Sequence, residues 1–128
     1  MSVYKGQWPE KGAPVEAAKL VTVDGQPLPP DIADVPGTDQ RFGWGNFSSW
    51  ATSKLLATSM LQYELYTVMK VPRSVAHQYV IDMADLFLND RVARLARQWS
   101  MSSEEIGQWI KEKYPKIWEV LMSQHAPA

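Results

Sequence analysis

Cysteine is absent from the 128 residues, so neither a disulfide framework nor thiolate chemistry is open to this chain. Histidine is nearly absent: His77 and His125 are the whole complement, too few to assemble a histidine metal cluster or a histidine-based triad. No apolar run approaches the roughly 18 residues that span a bilayer. A basic excess is missing too. Thirteen Lys and Arg stand against 14 Asp and Glu, a formal net charge of −1, which argues against tight non-specific binding to nucleic acid or an anionic membrane. Gly43 and Gly45 lack a following basic residue and a preceding buried strand, so they do not make a phosphate-cradling loop. Nothing near the N-terminus has the basic and then apolar pattern of a secretory signal. The reading therefore expects a soluble cytoplasmic protein, with Asn46-Phe47-Ser48 a chance match to a glycosylation acceptor.

What is present is enough apolar material for a core: 45% hydrophobic residues and six tryptophans in a length that suits one domain, 1–128. The charge is uneven. Residues 1–40 carry three basic and six acidic side chains, a net of −3, and residues 41–128 carry ten and eight, a net of +2. Six of the nine prolines also precede residue 40, so the chain reads as a β-ribbon with an extended arm (1–40) followed by a helical body (41–128).

Val3 to Trp8 and Lys19 to Val23 read as short strands, and Asp24-Gly25 as the turn after the second. Next comes an aromatic loop with glycines between its rings (Phe42, Trp44, Phe47, Trp50), expected to plug the space between ribbon and first helix. Ser48 or Ser49 is placed to cap that helix, which runs from Trp50 to about Lys70 and stops before Pro72. On it Leu55, Leu56, Met60, Tyr63 and Val68 are expected inward, and Ser53, Lys54, Ser59 and Glu64 outward. A second helix is predicted over Ser74 to Leu88, with Val75, Tyr79, Val80, Met83, Leu86 and Phe87 on its apolar face, and a third over Arg91 to Trp99, capped by Asp90. Ser102 and Glu105 have the spacing of a capping box for a fourth, which Pro115 kinks or restarts. The fold expected is α+β: a short N-terminal β-ribbon and proline-rich arm packed against about four helices.

Tyr4-Lys5-Gly6, then Val21-Thr22-Val23-Asp24-Gly25 with Pro27-Leu28, then Phe42-Gly43-Trp44-Gly45 before a helix, follow one another in an order and spacing that covers about residues 3–57. In this the chain resembles a family of small bacterial and phage proteins catalogued only as a domain of unknown function. Here the turn after the tryptophan-glycine pair is the bulkier Asn46-Phe47-Ser48-Ser49 instead of a glycine-rich one. The resemblance implies a phage or mobile-element origin and no particular activity.

Two stretches offer binding chemistry. Arg91 to Lys111 resembles a helix-turn-helix, which would present Ser103, Glu104, Gln108 and Lys111 to a major groove with Arg91, Arg94 and Arg97 near the backbone. Glu104 and Glu105 set negative charge at the end that would approach phosphate, and any packed helix pair gives the same burial pattern. The other is the arm, whose Asp31, Asp34 and Asp39 are suited to a basic partner surface, with Phe47 beyond it in an aromatic set that could serve as a hot-spot patch for a protein partner or a stacking platform for a base. Asp82, Asp85 and Asp90 read as the solvated face of a helix rather than as a catalytic cluster. The preferred reading is a non-enzymatic binding protein, without cofactor or metal, that occupies a surface of a host protein as an inhibitor or counter-defence factor does. The alternative is a helix-turn-helix protein that binds duplex DNA. No membrane association is expected, and homodimerisation stays open.

Overall fold

In β1, Val3–Gln7, side chains alternate outward and inward, with Tyr4 and Gly6 facing in, as a strand with one covered face requires. The structure is a computed structural model that describes residues 2–7, 20–28, 42–45 and 50–125. Strand β2, Leu20–Val23, runs antiparallel to β1 with Tyr4 opposite Val23 and Gly6 opposite Val21. Asp24 and Gly25 both take positive φ, 51° and 81°, as the two central residues of a tight hairpin turn must. Strand β3, Gln26–Pro27, then returns beside β2. Asp24 Oδ1 accepts the N–H of Val3 at 2.9 Å, fastening the turn to the first strand.

The helix predicted over Arg91 to Trp99 does not form. Val92–Arg94 make a single 3₁₀ turn, Leu95 is extended, and Gln98–Ser102 is a fourth strand, β4. It lies antiparallel to β1 from Val3 opposite Ser102 to Gln7 opposite Gln98, and the sheet order is β3-β2-β1-β4. A two-stranded ribbon would leave one edge of β1 unpaired. Strand β4 satisfies that edge, and the pairing outweighs the modest helical preference of the segment. The sheet therefore joins both parts of the chain, with β1 between β2 and a strand from the expected helical body. Gly6 passes beneath the Trp99 indole so closely that a Cβ would overlap the ring, which makes glycine a packing requirement at that position.

Helix α1, Trp50–Gln62, continues without a break as a π-helix, Tyr63–Val68. The Met69 N–H donates to the carbonyl of Glu64 at 2.9 Å, the five-residue step of that winding. Lys70, with φ 57°, turns the chain, and Pro72 stands immediately before α2, Arg73–Asp90. The capping box forms as its spacing predicts: Ser102 Oγ accepts the Glu105 N–H at 3.2 Å and the Glu105 carboxylate accepts the Ser102 N–H at 2.8 Å. It opens α3, Ser103–Lys113, and Pro115 restarts the chain as α4, Pro115–His125. Among the described residues four antiparallel strands and four α-helices make the α+β architecture. No helix among the described residues is long and apolar enough to cross a membrane.

Burial corrects several faces. Trp44 is fully buried and meets Trp99 edge to face at 5.9 Å, and Phe42 is buried beside the core. Trp50, grouped with them by sequence, is 63% exposed under the Lys54 ammonium. The plug thus works through Phe42 and Trp44. Phe47 and the cap at Ser48 or Ser49 lie outside the described residues. Along α1 and the π-helix the inward pairs are Leu56-Ala57, Met60-Leu61 and Glu64-Leu65. Ser53, Ser59 and Glu64, read as an outer face, are buried, while Leu55 and Val68 are only half-buried. On α2, Val75 and Leu86 are exposed, and Ala76, Val80, Met83, Ala84, Phe87 and Leu88 carry the core face.

Candidate functional site

Glu64 follows Leu56-Ala57 and Met60-Leu61 at the three- and four-residue steps of one helical face, so the winding that buries those residues carries a carboxyl inward as well. It is 4% exposed. Two hydroxyls receive it. The Tyr4 phenol donates to Oε2 at 2.7 Å and the Ser103 hydroxyl donates to the same oxygen at 2.9 Å. Ser103 is held in turn by Ser2, whose N–H donates to Ser103 Oγ at 3.0 Å and whose carbonyl accepts the Ser103 N–H at 2.8 Å. One carboxylate oxygen thereby ties the first strand, the π-helix and the start of α3 together.

Both hydrogen bonds end on Oε2, and Oε1 accepts none among the described residues. Burial pushes the Glu64 carboxyl above its ordinary range, and the hydrogen bonds from Tyr4 and Ser103 oppose that rise. Burial and then the charge of Glu64 push the Tyr4 phenol far above its ordinary value, which keeps it a donor. Neither hydroxyl brings a positive charge and no described side chain forms an ion pair with Glu64, although the charge of the chain's N-terminus also opposes the rise.

Glu64 and Ser103 also line an open cleft of about 840 Å³. Its walls are Val68 and Met69 at the end of the π-helix, Gly107 and Ile110 on α3, and Trp118 and Met122 on α4. Its polar lining is Arg91, Glu104, Glu105, Gln108 and Lys111, so with Glu64 three carboxyls stand against two cations. The mixture of apolar walls with few polar groups, at roughly 300–1,000 Å³, is the usual make-up of a ligand site.

Set against known proteins, the chain matches no family model, no curated protein and no solved structure. The site is therefore read from its own geometry.

The seven residues nominated for nucleic acid divide. Arg91, Ser103, Glu104, Gln108 and Lys111 come together around the cleft, whereas Arg94 is exposed on the 3₁₀ turn and Arg97 is exposed before β4. With a strand where its first helix would be, the Arg91–Lys111 segment lacks the two-helix geometry that places a recognition helix in a major groove. Ser103, assigned there to a DNA surface, is buried and committed to Glu64. Asp31, Asp34, Asp39 and Phe47 lie outside the described residues. Asp90, expected to cap a third helix, ends α2 and accepts the Trp109 indole N–H at 3.1 Å, with Lys113 3.8 Å away. Asp82 is exposed with Gln78, and Asp85 pairs with Lys54. No group of three His, Cys, Asp or Glu among the described residues is placed to hold a metal ion.

Sequence reasoning missed Glu64 because serines at 53 and 59 suggested that it closed a polar face. The available signal was the doublet spacing of Leu56-Ala57 and Met60-Leu61, which extends to Glu64-Leu65.

Proposed function

We propose that the protein is a non-enzymatic binding protein that acts in the cytoplasm and that the Glu64 cleft is where it holds a protein of its host. The observation that carries this reading is a buried carboxyl, one oxygen of which accepts no hydrogen bond from a described residue, in the lining of a cleft of about 840 Å³ with apolar walls and a few polar groups. An apolar centre bordered by polar side chains is how specific protein interfaces are built, and a partner side chain inserted there excludes water from its contacts. The resemblance to small phage and bacterial proteins supports a binding role over a metabolic one, of the inhibitor or counter-defence kind. Asp31, Asp34 and Asp39 fit the same picture, since their charge adds to the cleft's own carboxyl excess in favouring a basic partner.

The test is capture from a host lysate by the parent protein and by a cleft-filled variant, Val68→Phe with Met122→Phe, whose circular dichroism and melting are first shown to be unchanged. A host protein held by the parent and released by the filled variant supports the reading. Equal capture by both places the interface elsewhere. Lysine substitution of Asp31, Asp34 and Asp39 together then tells whether the arm is that surface.

A further inference from the structure

Glu64, in the lining of the cleft, constrains what enters it. Tyr4 and Ser103 fill one side of the group by donating to Oε2 at 2.7 and 2.9 Å, and Oε1 is left without a donor among the described residues. A carboxylate has acceptor capacity on both oxygens, so a ligand that supplies a donor to Oε1 completes it. A neutral donor would leave a buried charge uncompensated, and a second anion would add to the repulsion. A cation does neither. Arg91 and Lys111 line the same cleft, yet neither forms an ion pair with Glu64, and the lining has three carboxyls to two cations. Burial is also what raises the proton affinity of Glu64, against the hydrogen bonds from Tyr4 and Ser103 and the charge of the chain's N-terminus, which lower it.

The shape of the cation follows from which oxygen is open. A guanidinium binds a carboxylate best through two parallel N–H bonds, one to each oxygen, and here Oε2 is already taken by two hydroxyls. An ammonium is a compact charge with three donors that needs a single oxygen. The walls above Glu64, among them Met69, Ile110, Trp118 and Met122, suit a stem of methylenes, which a lysine side chain buries while its charge seeks a polar partner.

We infer that the group this cleft receives is an alkylammonium, and specifically a lysine side chain of the partner protein, with its ammonium on Glu64 Oε1 and its methylenes against the π-helix, α3 and α4. This rests on the cleft being the binding site, and the experiment separates the two claims.

The probes are n-butylammonium, n-butanol, and three short capped peptides identical except for a central lysine, arginine or norleucine. Binding is read from the backbone amide signals of Gly107 and Ile110 in the intact protein. Butylammonium should bind about tenfold more tightly than butanol, and the lysine peptide about tenfold more tightly than the arginine and norleucine peptides. Glu64→Gln should bring butylammonium and butanol to parity while butanol still shifts the same amides. Should that variant fold poorly, the comparison of probes on the parent protein decides alone. Equal binding of butylammonium and butanol to the parent would overturn the ammonium inference and leave the cleft reading standing. Butylammonium binding without the lysine peptide would overturn the partner lysine in favour of a free amine. Silence of Gly107 and Ile110 with every probe would overturn both claims.

Discussion

The phenol of Tyr4 donates to Oε2 of Glu64 at 2.7 Å, joining residues 60 positions apart, both buried. The bond holds the first strand to the π-helix, and the ring of Tyr63 packs edge-on against Tyr4 at 5.9 Å. Removing only the hydroxyl leaves the rings in place and takes one of two donors from a buried carboxyl. Tyr4→Phe should therefore cost about 1–3 kcal/mol, the range for an unsatisfied buried acceptor. Urea unfolding at neutral pH measures it, and a change within experimental error would mean that the bond adds no net stability.

The buried carboxyl should also set a pH dependence. Its value in the fold is raised above the unfolded one, so the fold favours the neutral form. That contribution is complete below the ordinary carboxylate range and is lost as pH rises through the raised folded value. Glu64→Gln, which cannot ionise, should gain stability relative to the parent as pH rises from the ordinary carboxylate range through the raised folded value. Urea titrations of both proteins across that interval test the sign, and parallel pH profiles would contradict the assignment.

Gly6 and Trp99 make a second long-range pair. A Cβ at position 6 would overlap the indole, and the ring is itself packed on Trp44 at 5.9 Å. Gly6→Ala should destabilise by about 1–3 kcal/mol through overpacking. Adding Trp99→Leu should recover part of the loss, because the two sites share one clash. A double variant whose losses simply add would show that Trp99 is not what position 6 meets.

Two tryptophans of one loop should respond differently. Trp44 is fully buried and Trp50 is 63% exposed. Trp44→Ala should cost about 3–5 kcal/mol, a large share of a small domain's stability, whereas Trp50→Ala should stay within about 0.5 kcal/mol. Melting curves of the two variants side by side are sufficient, and similar losses would show that the loop seals as a unit.

Duplex DNA gives a final discriminating measurement. With β4 in place of a helix before Ser103, gel-shift titration at micromolar protein and low salt should show no binding. Binding whose salt slope falls by about one unit with each of Arg94→Ala and Arg97→Ala would reinstate those arginines as phosphate contacts.

The sequence by itself determined the elements whose signals are local. The Asp24-Gly25 turn, the Ser102–Glu105 capping box, the stop before Pro72 and the restart at Pro115 each depend on a few neighbouring residues whose backbone preferences do not wait for the rest of the chain. The burial of Trp44 was legible for a similar reason, since its flanking glycines let the backbone turn sharply enough to fold a large apolar ring inward. Tertiary structure decided the rest. Residues 98–102 became a strand because the open edge of β1, almost a hundred positions earlier, needed hydrogen bonds, a demand that no window around Trp99 contains. Glu64 became a buried acceptor in the lining of a cleft because Tyr4 and Ser103 arrive from opposite ends of the chain to meet it. A carboxyl is placed inward only when distant donors offset its loss of water, and those donors exist only in the folded chain.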